Sequence, residues 1–283
     1  GFIRGGAVIW VGFTLVLLLL VVVAGHRANG ATRWIMLAGF SLQPSEVAKV
    51  TGLIWAASFL AKRIRKGEKI TLVKRFFRPA FHFADRKKKE NTFRSMIGYF
   101  LPLYGPLVMA LFVLKQPDMG TAGMILLFPL LLYVLAGLPL FEILLGVGGA
   151  IVTFAILVIA EPYRMDRVVV LWDPFSYAAN RGYQTVQSLI AVGSGGLFGQ
   201  SVGEGMSKFL YLPEQYTDFA YAVFSQEFGF IGSVFVLLLY LVFLLAGFSA
   251  ARKLKETYAA LLVYGLTMLI SVQGIVNIAM VIG

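Results

Sequence analysis

The chain has 283 residues, 59% of them hydrophobic and only 14% charged, with a mean hydropathy of +0.81 and a net charge of +11. That balance excludes an ordinary soluble domain. The absence of cysteine excludes a disulfide framework and a thiolate metal site, and the two histidines, His26 and His82, are too few and too far apart in sequence to suggest a metal cluster.

Apolar runs long enough to cross a hydrocarbon core of about 30 Å recur along the whole length, and lipid leaves helices as the way to satisfy their backbone. The first, at 8–24, reads as a retained span rather than a cleaved signal, because the chain starts GFIRGG without an initiator Met and stops at VIG after an apolar run. Both ends suggest a piece of a longer membrane protein. The second span, 44–61, opens on Gln43-Pro44-Ser45, with proline suited to a first helical turn. Next comes a basic segment, 62–96, holding 13 Lys and Arg against 3 acids, a net +10 of the chain's +11. It is expected on the cytoplasmic side, as a topology signal that also touches anionic lipid, and nucleic acid is not expected as a partner. Further spans are predicted at 97–114, 121–137 and 140–160.

Counting outward from the basic loop places 161–218 on the extracellular side. This segment carries Arg164, Arg167, Arg181 and Lys208 among five acids and Asp218, with aromatic residues and the glycine-rich stretch GSGGLFGQSVGEG. Its length and mixture of residue types predict an ordered, functional loop. Spans at 219–247 and 259–282 complete the set, with Arg252, Lys253 and Lys255 falling back on the inner side. The fold class read from this pattern is all-α: a polytopic transmembrane helical bundle with a long ordered extracellular loop.

Ionisable residues in or beside spans are costly and usually mark a working site or an ion pair between helices. Here they are Glu46, Lys49, Asp118, Asp218 and Glu227. Glu46 and Lys49 share a helix face, so a structural ion pair and a lysine reaching an anionic headgroup are both open readings. Asp118, in KQPDMGT, reads first as a turn or cap. Asp218, after Thr217 and before an apolar helix, could cap that helix or act in chemistry. Glu227 lies nine residues on, about half a turn around the helix from Asp218, and is expected to be structural.

The blocks GATRWIMLAGFSLQPSEVAKV, QPDMGTA, PYRMDRVVVLWDP, GYQTVQSLIAVGSGGLFG and YLPEQYTDFAYAVFSQEFGFIG occur in one order. They resemble the SEDS family (shape, elongation, division and sporulation), the FtsW, RodA and SpoVE-like proteins of bacterial walls. PYR and MSKFLYLPE are more similar to FtsW or its sporulation relative than to RodA. The seven spans would correspond to the family's third through ninth, and a later proline- and glycine-rich block would follow Gly283. Three departures stand out: the basic loop is longer than expected, Gln226 stands where a second glutamate is common, and Ser201 replaces a usual glycine.

The resemblance implies a peptidoglycan glycosyltransferase in the bacterial cytoplasmic membrane, polymerising lipid II for cell division or cell-shape wall synthesis. The implied partners are a class B penicillin-binding protein and other divisome or elongasome membrane proteins. The family aspartate carries onto Asp218 as general base, with Thr217 beside it. Arg164, Arg167, Lys49, Arg33, Arg181 and Lys208 are candidates to hold the departing diphosphate, each against the alternative of a salt bridge with a nearby acid. Glu46, Glu227 and Asp118 are supporting positions. A divalent cation, Mg or Mn, could assist, but no metal ligand cluster is visible and no other cofactor is implied. The aromatics Phe219, Tyr221 and Phe224 are expected to pack helices. A flippase or transporter of the same lipid-linked precursor is the alternative from another class, though its ionisable groups should be spread through the depth of several spans.

Overall fold

The computed structural model describes residues 6–28, 31–37, 40–71, 102–160, 162–180, 182–201 and 217–283. In chain order the described elements are α1 (Ala7–Ala24), β1 (His26–Ala28), β2 (Ala31–Leu37), β3 (Phe40–Leu42), α2 (Pro44–Arg65), α3 (Pro102–Leu114), α4 (Met119–Leu135), α5 (Leu140–Ile159), α6 (Pro162–Trp172), a short 3-10 turn at Phe175–Tyr177, α7 (Tyr183–Ser194), α8 (Ala220–Lys253) and α9 (Thr257–Ile282). Among the described residues, α5, α8 and α9 are long and apolar enough to cross a membrane, and α1, α3 and α4 are shorter apolar helices.

The chain divides into two compact units, 1–146 with 247–269, and 147–246 with 270–283. In the first, α1 to α4 pack through Val11, Leu18, Ala48, Ile54, Trp55, Met109, Val113 and Ile125. Lipid offers no hydrophobic drive between helices, so close approach and polar contacts hold such a bundle. Both are present. The Thr14 and Thr51 hydroxyls are 2.8 Å apart in the buried α1–α2 seam, and Thr14 Oγ1 also donates back to the Trp10 carbonyl at 2.8 Å. Gly105 lies so near the Trp55 indole that a methyl group there would be 3.0 Å from its ring.

Between α1 and α2 the chain forms a three-stranded antiparallel sheet in the order β1-β2-β3, with Arg27 opposite Thr32 and Met36 opposite Ser41. The hydropathy pattern alone does not show it. Pro44 then opens α2, whose last turn carries Lys62, Arg63 and Arg65 where the helix dipole favours cations. The basic segment beyond residue 71, up to 101, lies outside the described residues.

In the second unit, α7 and the ends of α8 and α9 pack through Ala191, Phe219, Ala222 and Val281, and Ser188 Oγ donates to the Val281 carbonyl at 2.6 Å. Gly274 takes the Tyr240 ring against its backbone, where any side chain would overlap it. The stretch expected as one loop, 161–218, contains two helices, α6 and α7. The stretch expected as one span from residue 219 is not one straight helix either. Gly229 has φ 64° and ψ −164°, a conformation that essentially only glycine adopts, so α8 is a short segment before Gly229 and a long one after it.

Candidate functional site

Asp218 sits in the turn Thr217–Phe219 that leads into α8. Phe219 is buried against α7 and α9, and Ala222, one helical turn later, is fully buried beside it. These two apolar residues seat the start of the helix. Asp218, next to the anchor, stays exposed, as does Thr217. Among the described residues the Asp218 carboxylate makes no hydrogen bond or ion pair, so its charge is not used in capping α8. An accessible carboxylate at the mouth of an apolar helix can take a proton from a hydroxyl that reaches it.

The residues around it have packing roles. Tyr221 donates its hydroxyl to the Ser233 carbonyl at 3.2 Å, across the break in α8, and Phe224 stacks on Phe228 with ring centroids 4.5 Å apart. Glu227 is buried, in contrast to the exposed Asp218. Ser225 and Gln226 are buried beside it.

The first unit carries a second group of the predicted residues. Lys49, 3% exposed, pairs with Glu46 at 2.7 Å within the first turns of α2. Asp118 caps α4: Oδ1 accepts from the Thr121 N–H at 3.1 Å and Oδ2 from the Thr121 hydroxyl at 2.9 Å. Gln43 Nε2 reaches Asp118 Oδ2 at 3.5 Å. Arg33, from β2, donates Nη2 to the Pro117 carbonyl at 2.6 Å and Nε to the Gln116 carbonyl at 3.4 Å. The sheet, the start of α2 and the turn before α4 are thereby tied into one polar cluster. Arg181 and Lys208 lie outside the described residues, and so do the side chains of Arg164 and Arg167. No group of three or more His, Cys, Asp or Glu able to hold a metal occurs among the described residues.

One constellation has no counterpart in the sequence reading. Gln226 Nε2 donates to Ser194 Oγ at 3.0 Å, and Gln200 Nε2 donates to the Ser194 carbonyl at 2.9 Å. The glycines of GSGGLFG and of EFGFIG were the available signal, because each cluster marks tight backbone geometry.

Apolar helices of spanning length, charged groups gathered at helix ends and a small sheet between the first two helices define a polytopic helical membrane protein. The family model described as "Cell cycle protein", FTSW_RODA_SPOVE, matches residues 2–283, and the chain belongs to this family. It is 34% identical to a probable peptidoglycan glycosyltransferase FtsW of Aliivibrio salmonicida, over 95% of this chain and 62% of that protein. It is 36% identical to a probable peptidoglycan glycosyltransferase FtsW of Thioalkalivibrio sulfidiphilus, over 96% of this chain and 63% of that protein. The chain thus spans about three fifths of the length of these curated relatives. Among solved structures it is similar to a chain of a peptidoglycan synthase complex described as coordinating polymerization and crosslinking, with a TM-score of 0.72, 25% identity, and coverage of 99% of this chain and 71% of that one. It is also similar to the rod shape determining protein RodA of Thermus thermophilus, with a TM-score of 0.60, 26% identity, and coverage of 99% and 67%.

Proposed function

We propose that this chain carries the catalytic aspartate of a peptidoglycan glycosyltransferase that polymerises lipid II at the outer face of the bacterial cytoplasmic membrane. The observation that carries this reading is the exposed carboxylate of Asp218 at the start of an apolar helix, unengaged among the described residues. Relatives named as peptidoglycan glycosyltransferases support it.

The donor sugar is α-linked to undecaprenyl diphosphate and the new bond is β, so the transfer is a single inverting displacement. Asp218 takes the proton of the acceptor 4-hydroxyl as that oxygen attacks the donor C1, a role typically worth about 10²- to 10⁴-fold in rate. The C1–diphosphate bond breaks as the new C1–oxygen bond forms, and negative charge grows on the leaving diphosphate. Cations must meet that charge. Arg164, Arg167, Arg181 and Lys208, in the stretch before Asp218, fill that role in this proposal, with Lys49 and Arg33 as further candidates. Lys49 and Arg33 already have partners in Glu46 and in the Gln116 and Pro117 carbonyls, which weighs toward the segment 161–218 as the diphosphate-binding side.

Sidedness follows the same reading: the basic segment 62–96 is cytoplasmic and 161–218 is extracellular. A class B penicillin-binding protein is the proposed partner, in keeping with the similarity to a chain of a synthase complex. Polymerisation of purified lipid II by the full-length protein with that partner tests the reading. Asp218→Asn is expected to lower glycan formation by at least about 100-fold without changing the unfolding temperature. Polymer made at the wild-type rate by that variant, or lipid II crossing vesicle bilayers with no polymer formed, would overturn it.

A further inference from the structure

A break in a helix exposes the backbone groups on both sides of it, and each must find a partner. Around Gly229 three of those partners come from one place, the glycine-rich turn after α7. Phe230 N–H donates to the Gly196 carbonyl at 2.8 Å and Ile231 N–H to the Leu197 carbonyl at 3.2 Å, while Gln200 N–H donates to the Gln226 carbonyl at 3.0 Å. The turn therefore bonds to α8 on both sides of its break. It is closed on itself by Gly199 N–H to the Gly195 carbonyl at 2.8 Å. Backbone meets backbone here, so a Cβ on Gly195 would overlap the Ser225 carbonyl, one on Gly199 the Glu227 carbonyl, and one on Gly229 the Gly199 nitrogen. The Ser194, Gln200 and Gln226 side chains then stitch the turn to the short segment that begins at Ala220.

That short segment is held at two points. Near its start, Phe219 and Ala222 seat on Ala191 of α7, and near its end Gln226 bonds Ser194, the last residue of the same helix. Asp218 lies directly before the first of these points. We infer that α7 and the turn Ser194–Gln200 form a brace that sets the position of Asp218, with Gln226 and Ser194 as positioning residues for the transfer reaction. This inference rests on the reading of Asp218 as the general base. A base must stand within hydrogen-bond reach of the proton it abstracts, so a small rotation of the segment lowers turnover more than it lowers substrate affinity.

The test uses the full-length protein with its partner and lipid II, and compares Gln226→Leu, Ser194→Ala, Asp218→Asn and the double variant Asp218→Asn/Gln226→Leu. Expected are a roughly 10-fold fall in kcat for Gln226→Leu, a KM within about 2-fold of wild type, and faster amide hydrogen exchange confined to 220–228. Ser194→Ala, the smaller perturbation, should shift the same quantities in the same direction. The double variant should be no slower than Asp218→Asn alone, because a residue acting through Asp218 has nothing left to position. Wild-type kcat in both single variants, or losses that multiply in the double variant, would sink the brace while leaving Asp218 as the base. Full activity in Asp218→Asn would instead remove the reading on which the brace depends.

Discussion

Glu46 and Lys49 are joined at 2.7 Å, yet their surroundings are unequal: the lysine is 3% exposed and the carboxylate 47%. The pair is a tether between a buried ammonium and the helix surface. Water screens the open side, so the contribution is moderate. Glu46→Gln is expected to lower stability by about 1 kcal/mol, read as a lower unfolding midpoint in detergent. The same change in a Lys49→Met background should cost less. Equal costs in the two backgrounds would show that the pair contributes nothing.

Asp118 holds both the N–H and the hydroxyl of Thr121. The cap satisfies an otherwise orphaned donor at the start of α4. Asp118→Ala should therefore destabilise by about 1 kcal/mol, with Asp118→Asn retaining most of the cap. Thermal unfolding of the two variants side by side checks this, and equal losses would contradict it.

Three positions test backbone conformation directly. Gly229, at φ 64° and ψ −164°, faces the turn before it, and Gly229→Ala should cost roughly 2–3 kcal/mol or prevent folding. Exposed Gly123 in α4 has open space around it, so Gly123→Ala should be neutral or slightly stabilising. Ser201 has φ 77°, a left-handed conformation that strains a side chain. It stands where the resemblance has glycine, and Ser201→Gly is expected to stabilise by about 1 kcal/mol. Unfolding midpoints that order these three variants otherwise would refute the backbone argument.

Asp173 closes the turn after α6 by accepting from the Ser176 hydroxyl at 2.6 Å and from the Ser176 N–H at 3.2 Å. The hydroxyl first, and then the backbone N–H, hold its carboxyl below the usual carboxylate range. Because the folded-state value is depressed, the turn's stabilisation is present above the unfolded carboxylate pKa and fades as pH falls through the lower folded value. Ser176→Ala should move the Asp173 midpoint upward in a carboxyl NMR titration. No movement would mean that the Ser176 hydroxyl does not set it, since the backbone N–H remains in the variant.

Much of the architecture follows from local chemistry. The apolar runs carry helices because lipid leaves the backbone no other partner, and the Pro44 start of α2 and the Asp118 cap of α4 can each be read from a few adjacent residues. The local sequence around Asp218 likewise places a carboxylate beside the apolar start of α8.

What only the tertiary structure decided is non-local. Hydropathy averages over a window, so it reads α8 as a single span and is blind to one glycine's φ and ψ. The break is tolerated because Gly196, Leu197 and Gln200, about thirty residues earlier in the chain, supply the hydrogen bonds that the helix gives up. The partners of Arg33 and the burial of Lys49 and Glu227 depend in the same way on neighbours that only the fold assembles. Local sequence can mark where charge and helix meet, but which groups satisfy one another is determined by contacts between distant segments.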